Sequence, residues 1–244
     1  MYKHLLSVGG FTLLSRITGF LRDVMLGAIL GAGALADAFV VAFRLPNHFR
    51  AIFGEGAFNA AYVPTYSRAL EKEGREAAGN FADQIFTLLV ASQLALLVVA
   101  WIFMGGLIDL LAPGFRSDPE TFRLAVSLTR VTFPYLIFVT LVTLLSGTLN
   151  AHRQFAAAAA APILLNVAMI ATLAVAFLFP NAAYAAAWGV ALAGALELAL
   201  LIWAAQRAGV MTRFKRVVFD GDVARFFKTL GPAVIGSAGV QIAM

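Results

Sequence analysis

The sequence contains no cysteine, and only 13% of its 244 residues are charged. Without cysteine, neither disulfide bonds nor thiolate metal sites can form. The three histidines, His4, His48 and His152, lack the spacing of a metal site. No Walker A loop, zinc motif or nucleophile elbow occurs in the sequence. We therefore expect no metal site, no cofactor, no enzymatic activity and no nucleic-acid partner.

Long apolar runs dominate what is present. Hydrophobic residues make up 61% of the chain, and its mean hydropathy is +0.86. The runs recur at about 20 residues, the length of an α-helix that crosses the hydrocarbon core of a bilayer. The predicted fold class is therefore all-α, a polytopic helical membrane protein. Complete spans are expected near residues 8–30, 34–66, 80–107, 121–150, 158–179 and 183–206, with a seventh starting near residue 229.

The first two spans have unusual features. The N-terminus imitates a signal peptide, but Arg16, Arg22 and Asp23 interrupt its apolar segment, so we expect an uncleaved first span. The second span, 34–66, would be roughly 50 Å long as one helix, which is more than a bilayer needs. Pro46, with glycines beyond it, predicts a bend in this span.

The basic residues outside the spans are unevenly distributed. If the N-terminus is cytoplasmic, the inner connections hold eleven of the eighteen basic residues, and the outer connections hold only Arg116 and Arg123. The inner connections are then residues 1–7, 67–79, 151–157 and 207–228. Because basic residues concentrate on the cytoplasmic side of membrane proteins, this distribution predicts a cytoplasmic N-terminus.

The last inner connection, 207–228, allows two interpretations. After Asp222, a candidate N-cap, four apolar residues repeat at helical spacing. They are Val223, Phe226, Phe227 and Leu230. One interpretation is a short amphipathic helix that lies on the inner membrane face. The other is a basic linker bound by anionic lipid headgroups.

The segment from Ser15 to Pro64 carries charges where a lipid-facing helix has none. They are Arg16, Arg22, Asp23, Asp37, Arg44, Arg50 and Glu55. Each ionisable side chain inside a span costs roughly 2.5–3.5 kcal/mol on the insertion scale, so such residues indicate function by default. Later spans add little charge, and we expect Glu197 to be a structural or packing partner rather than a coupling-ion ligand.

Helical geometry groups the charges of the first two spans. Arg16 and Asp23 are seven residues apart, as are Asp37 and Arg44, so each pair lies on one face of its helix. One hypothesis is that internal ion pairs lock the two spans together while charges near the interface snorkel. Since four arginines outnumber three acids, the favoured hypothesis is a water-accessible cationic cavity for an anionic ligand such as a pyrophosphate.

Three runs of the sequence resemble one known family. SRITGFLRD and GAGALADAFVVAFRLPNHFRAIFGEGAFNAAYVP closely resemble the start of the MurJ/MviN family, the lipid II flippases of peptidoglycan synthesis. RVTFPYLIFVTLVTLLSGTLNAHRQFAAAAAAPILLN is similar to the fourth and fifth spans of that family and the loop between them. The order and spacing match across nearly the whole chain.

The resemblance implies the multidrug/oligosaccharidyl-lipid/polysaccharide exporter fold. That fold has fourteen transmembrane helices in two lobes around a central cavity and works by alternating access. Residues 1–206 would form the N-terminal six-helix lobe with a cationic cavity face, 207–228 a cytoplasmic basic amphipathic connection, and 229–244 the start of the second lobe. The chain would then be the N-terminal half only.

The resemblance also implies a function and a site. The protein would move lipid II from the inner to the outer leaflet of the bacterial cytoplasmic membrane. The family's cavity arginines fall on Arg16, Arg22 and Arg50, and its acidic cavity residue falls on Asp37. Secondary candidates are Asp23, Arg44, Asn47 and Glu55. Membrane lipids are further expected partners, and any coupling-ion site would lie in the second lobe.

Other functions fit the sequence less well. The alternative in the same superfamily is an exporter of another lipid-linked oligosaccharide. A drug exporter would favour acidic groups that bind cations, and an enzyme acting on polyprenyl phosphates would need an aspartate-rich loop. A non-transporting scaffold would leave the surplus of intramembrane arginine without a use.

Overall fold

The computed structural model describes the backbone of residues 2–55, 57–219 and 221–242, and the side chains of residues 9–44, 46–48, 58–219 and 221–233. Ten α-helices and two short 3-10 turns, without a strand, account for the regular structure of these residues, which confirms the all-α prediction. The helices are α1 (Tyr2–Leu30), α2 (Ala34–Glu55), α3 (Ala57–Lys72), α4 (Arg75–Ile102), α5 (Met104–Leu111), α6 (Pro119–Thr132), α7 (Tyr135–Ala151), α8 (Ala156–Ala174), α9 (Ala182–Ala208) and α10 (Gly221–Ile242).

Four helical stretches in the described part of the chain are long and apolar enough to cross a membrane, judged by length and composition alone. They are Arg75–Ile102, Pro119–Ala151, Ala156–Ala174 and Ala182–Ala208. These stretches correspond to the third to sixth predicted spans, and they make the chain an integral membrane protein.

The described part of the second predicted span is helical on both sides of residue 56. α2 ends at Glu55 and α3 runs from Ala57 to Lys72, six residues beyond the predicted end at 66. Pro46 lies inside α2, so the proline does not end the helix. Residue 56 itself is not among the described residues.

Local signals in the sequence define several helix ends. The carboxylate of Asp118 accepts the backbone N–H groups of Glu120 and Thr121 at 3.1 and 3.2 Å and so caps α6, which begins with a proline. The side chain of Asn181 caps α9 by accepting the N–H of Tyr184 at 3.1 Å. At the other end of α9, Gly209 adopts a left-handed conformation with φ of 68°.

Small residues allow α9 to pack closely against its neighbours. A Cβ atom added at Gly189 would lie 2.9 Å from the Cα of Met169 on α8, and one added at Gly194 would lie 2.7 Å from the ring of Tyr135 on α7. Such close approach is how helices pack in membranes, where apolar burial gives little drive for association. α8 and α9 pack extensively against each other, α1 packs against α8, and α2 packs against α6 and α7.

α10 contains the end of the last inner connection. It is one continuous helix that begins at Gly221, so Asp222 lies in its first turn rather than at the N-cap. Phe226 is buried, and its ring centroid lies 5.6 Å from that of Phe58 and 6.2 Å from that of Phe81. The helix is thus longer than the predicted one, and Val223 and Phe226 of its apolar face are buried, whereas Phe227 is 42% exposed. That this segment lies at the inner membrane face stays a prediction.

The connecting segment, residues 210–219, joins α9 to α10 without helical structure. Three of its backbone N–H groups bind side chains of α4. Arg213 donates to Asp83 at 2.7 Å, Lys215 to the hydroxyl of Thr87 at 3.0 Å, and Val218 to Gln84 at 2.7 Å. These bonds hold the segment along α4, so it is a docked part of the fold.

Candidate functional site

The first helix packs on one side and is open on the other. α1 contacts α8 and, over a smaller area, α9. A Cβ atom added at Gly19 would lie 3.4 Å from the side-chain nitrogen of Asn166 on α8, so this glycine lies directly against a neighbouring helix. On the opposite side, large apolar side chains are exposed, including Ile17, Phe20 and Val24. α1 therefore lies at the edge of the bundle.

Arg22 is held by two partners. Its Nη2 donates to Asp23 at 2.7 Å and its Nη1 donates to the side-chain oxygen of Asn166 at 2.9 Å. The amide nitrogen of Asn166 in turn donates to the carbonyl oxygen of Ser15 at 3.0 Å and to the hydroxyl of Thr18 at 3.1 Å. Asn166 therefore fixes both the guanidinium group and the backbone of α1.

The sequence-based prediction of the site did not include Asn166. The available signal was a lone amide in the apolar span 158–179, since a polar side chain inside a membrane usually faces another helix or a cavity. Nothing in its local sequence indicated that the partner would be Arg22, which is 144 residues away.

Among the described side chains, no charged group of α1 pairs with one of α2. In the part of the chain with described side chains, Asp23 pairs with its neighbour Arg22, and no ion pair joins the two helices. Arg16 is exposed and forms no ion pair with another described residue. The hypothesis that internal ion pairs lock the first two spans together is thus not supported for these side chains.

On α2, the charged candidates lie opposite the buried face. Ala38 and Phe39 are buried, and the hydroxyl of Thr132 on α6 donates to the carbonyl oxygen of Ala42 at 2.8 Å. Asp37 lies in the first turn of α2, where the helix dipole favours a negative charge, and its side chain is exposed. Arg44 is also exposed.

The remaining candidates on α2 are Asn47, Arg50 and Glu55. Asn47 is exposed. The side chains of Arg50 and Glu55 lie outside the described residues. The structure therefore brings Arg22 and Asp23 together and leaves Arg16, Asp37 and Arg44 on exposed surfaces of helices that do not pack closely against each other.

A polar cavity of about 290 Å³ lies deeper in the bundle, between α3, α7, α8 and α9. Glu197 lines it with only 4% of the residue exposed, and the hydroxyl of Tyr135 donates to its Oε2 at 3.4 Å. Thr143 and Ser146 add hydroxyl groups to the lining. The contact with Tyr135 agrees with a structural role for Glu197, which stays a prediction.

Comparison with solved structures defines the class of the fold. A MATE transporter in a bent conformation matches 100% of this chain and 55% of that chain, with a TM-score of 0.77 and 13% identity. A MOP superfamily transporter from Pyrococcus furiosus matches 99% of this chain and 54% of that chain, with a TM-score of 0.73 and 16% identity. The chain therefore has the fold of about half of each of these two proteins.

The family within this class follows from closer matches. The profile of the family described as lipid II flippase MurJ matches residues 26–244, and the chain belongs to this family. A lipid II flippase MurJ solved in an inward closed conformation is 26% identical, with a TM-score of 0.76, over 92% of this chain and 46% of that chain.

Curated relatives agree with this assignment. A probable lipid II flippase MurJ from Rhizobium tropici is 40% identical over 99% of this chain and 46% of its own length. The lipid II flippase MurJ from Burkholderia cenocepacia is 41% identical over 81% of this chain and 38% of its own length. The chain thus spans about half the length of the curated relatives it matches.

Proposed function

We propose that this chain provides the N-terminal lobe of a flippase that moves lipid II from the inner to the outer leaflet of the bacterial cytoplasmic membrane by alternating access. The observation that carries the proposal is the exposed, unshared charge of α1 and α2. Arg16, Asp37 and Arg44 form no ion pairs with other described residues, although each charge is costly inside a membrane span. A charged ligand in a hydrated cavity would offset that cost.

The arginines suit the headgroup of lipid II. A guanidinium group stays charged in a poorly hydrated site, and its planar fork can bind a phosphate through two hydrogen bonds. In this proposal Arg16, Arg22 and Arg50 hold the pyrophosphate, and Asp37 orients an arginine or gates the cavity. The Asn166 contact supports the role of Arg22, because it directs the guanidinium group before a ligand arrives. The role of Arg50 rests on the family resemblance alone.

The proposed organisation follows the charge distribution. Residues 1–206 would be the lobe, 207–228 its cytoplasmic connection and 229–244 the start of the second lobe. The excess of basic residues in the inner connections favours a cytoplasmic N-terminus. A coupling-ion site, if the transport cycle uses one, would belong to the second lobe, and membrane lipids would surround both.

The test replaces Arg16 and Arg22 singly by alanine in the complete gene product. In cells that depend on this protein for lipid II flipping, the amount of flipped lipid II should fall at least about tenfold. The reason is that each change removes charge-assisted hydrogen bonds to the headgroup. Arg123→Ala is the matched control, since Arg123 is an exposed arginine near the start of α6. Unchanged lipid II translocation and viability in both variants would refute the proposal.

The same assay separates the alternative substrate. If another lipid-linked oligosaccharide is the cargo, the complete protein will not restore lipid II flipping in cells that lack their own flippase. Transport of the other lipid would then depend on Arg16 and Arg22 instead.

A further inference from the structure

A second polar cavity, of about 240 Å³, lies away from α1 and α2. It is enclosed by the end of α3, the start of α4, the turn after α7 and the beginning of the connecting segment. All these chain ends lie on the same side of the bundle, because each is reached after an even number of spans. Its polar lining consists of Tyr66, Arg75, Asp83, His152, Thr212 and Arg213.

The cavity has more positive than negative charge. Arg75 and Arg213 are exposed, and within the described part of the chain neither guanidinium group forms an ion pair. The single carboxylate of the lining, Asp83, already accepts the backbone N–H of Arg213 at 2.7 Å. The lining therefore includes two arginines and one aspartate, whose hydrogen-bonding capacity is partly used.

His152 contributes an imidazole to the lining of this cavity. Its Nε2 lies 2.9 Å from the hydroxyl of Tyr66. Burial, and then the charge of Arg75, lower the pKa of His152 below its ordinary value. A neutral imidazole is therefore expected near pH 7, so His152 adds a hydrogen-bonding group without a charge.

Thr212 supplies an unused hydrogen-bonding group. Only 5% of this residue is exposed, and its hydroxyl oxygen is buried without a hydrogen-bond partner. A buried polar group without a partner is unfavourable, so native structures normally satisfy it with protein, water or a ligand. Thr212 is one of the residues that line this cavity of about 240 Å³, and its hydroxyl oxygen is covered by the surrounding protein.

We propose that this cavity binds a phosphate group, carried either by a soluble phosphate compound or by a lipid headgroup. Arg75 and Arg213 would bind the phosphate oxygens from two sides, and the hydroxyl of Thr212 would donate to a third oxygen. The site does not use any residue of α1 or α2, so it stands apart from the proposed lipid II site.

Ligand binding would have a mechanical consequence. Arg75 belongs to α4, whereas Thr212 and Arg213 belong to the connecting segment. A phosphate shared by these residues would hold the segment against α4, in addition to the backbone bonds to Asp83, Gln84 and Thr87. Binding should therefore slow amide hydrogen exchange in residues 210–219.

The experiment uses the complete gene product and measures hydrogen exchange of residues 210–219. In one arm, inorganic phosphate is titrated against chloride at equal ionic strength, in maltoside detergent that contains no phosphate. In the other arm, nanodiscs of phosphatidylglycerol are compared with nanodiscs of an uncharged glycolipid. Saturable protection in the first arm identifies a soluble ligand, and protection in the second arm alone identifies a lipid headgroup. No protection in either arm would overturn the proposal.

Variants separate the cavity from general surface charge. With Arg75→Gln or Thr212→Val, the ligand concentration needed for half-maximal protection should rise at least about tenfold. Lys72→Gln and Arg216→Gln remove nearby exposed charges that do not line the cavity, and Thr212→Ser keeps the hydroxyl. These three controls should bind as the parent protein does. Equal weakening by Arg75→Gln and Lys72→Gln would show that only overall charge matters and would refute the site.

Discussion

Asn166 should be required for the position of Arg22 although it carries no charge. The substitution Asn166→Leu removes three hydrogen bonds between α8 and α1, with lengths of 2.9, 3.0 and 3.1 Å. Interhelical hydrogen bonds in membrane proteins average about 0.6 kcal/mol, so the three together contribute roughly 2 kcal/mol. We expect a loss of stability of this size and a large loss of lipid II flipping, because Arg22 would no longer be directed.

Asn166→Asp separates the two effects. An aspartate keeps an acceptor for Arg22 but loses the donor to Ser15 and Thr18. Stability should then fall by about 1 kcal/mol, the value of the two lost bonds, while flipping is largely retained. Thr18→Val is a milder control, since it removes one of the three bonds.

The assays are thermal unfolding of the complete gene product in detergent and lipid II flipping in proteoliposomes. The reasoning would be refuted if Asn166→Leu kept both stability and flipping. It would also be refuted if Asn166→Leu and Asn166→Asp lost flipping equally, because the contact with Arg22 would then be irrelevant to transport.

Three further predictions concern stability. Gly189→Ala should destabilise the protein by about 1–3 kcal/mol in thermal unfolding, because the added Cβ would lie 2.9 Å from the Cα of Met169. Gly27→Ala is the control, since a Cβ at Gly27 would enter open space and should have no such cost. Phe226→Ala should lower the free energy of unfolding by about 3–5 kcal/mol and make α10 sensitive to proteolysis, because it removes a ring from a buried aromatic cluster. Unchanged resistance of α10 to proteolysis would contradict the observed packing. Because the pKa of His152 is lowered from 6.5 in the folded state, its neutral form stabilises the fold above pH 6.5, and this contribution should be lost as pH falls through the folded pKa. His152→Gln should flatten that part of the curve of melting temperature against pH, and an unchanged curve would exclude His152 as its source.

Local composition explains how much of the fold could be predicted. The third to sixth spans were predicted within about six residues at either end, because an apolar run of bilayer length has few other stable conformations in lipid. The far end of the second span was less predictable. Pro46 lies within α2 and does not end it. α3 extends to Lys72 through residues whose polarity does not predict a membrane span.

The candidate site was only partly predictable. Arg16 and Asp37 were identified because a charge in an apolar run is costly wherever it points. The pairing of Arg22 with Asp23, and the absence of a described ion pair between α1 and α2, depend on how the helices pack. The seven-residue spacing groups Asp23 with Arg16, but such spacing considers each helix without its neighbours.

The sequence by itself determined that this protein is a helical membrane protein and which of its helices carry charge, since both follow from composition and spacing within one segment. The tertiary structure decided which of those charges meet. Asn166 reaches Arg22 across 144 residues, and one polar cavity is lined by His152, Thr212 and Arg75 together. Such contacts depend on the packing of distant helices, which no local pattern in the chain specifies.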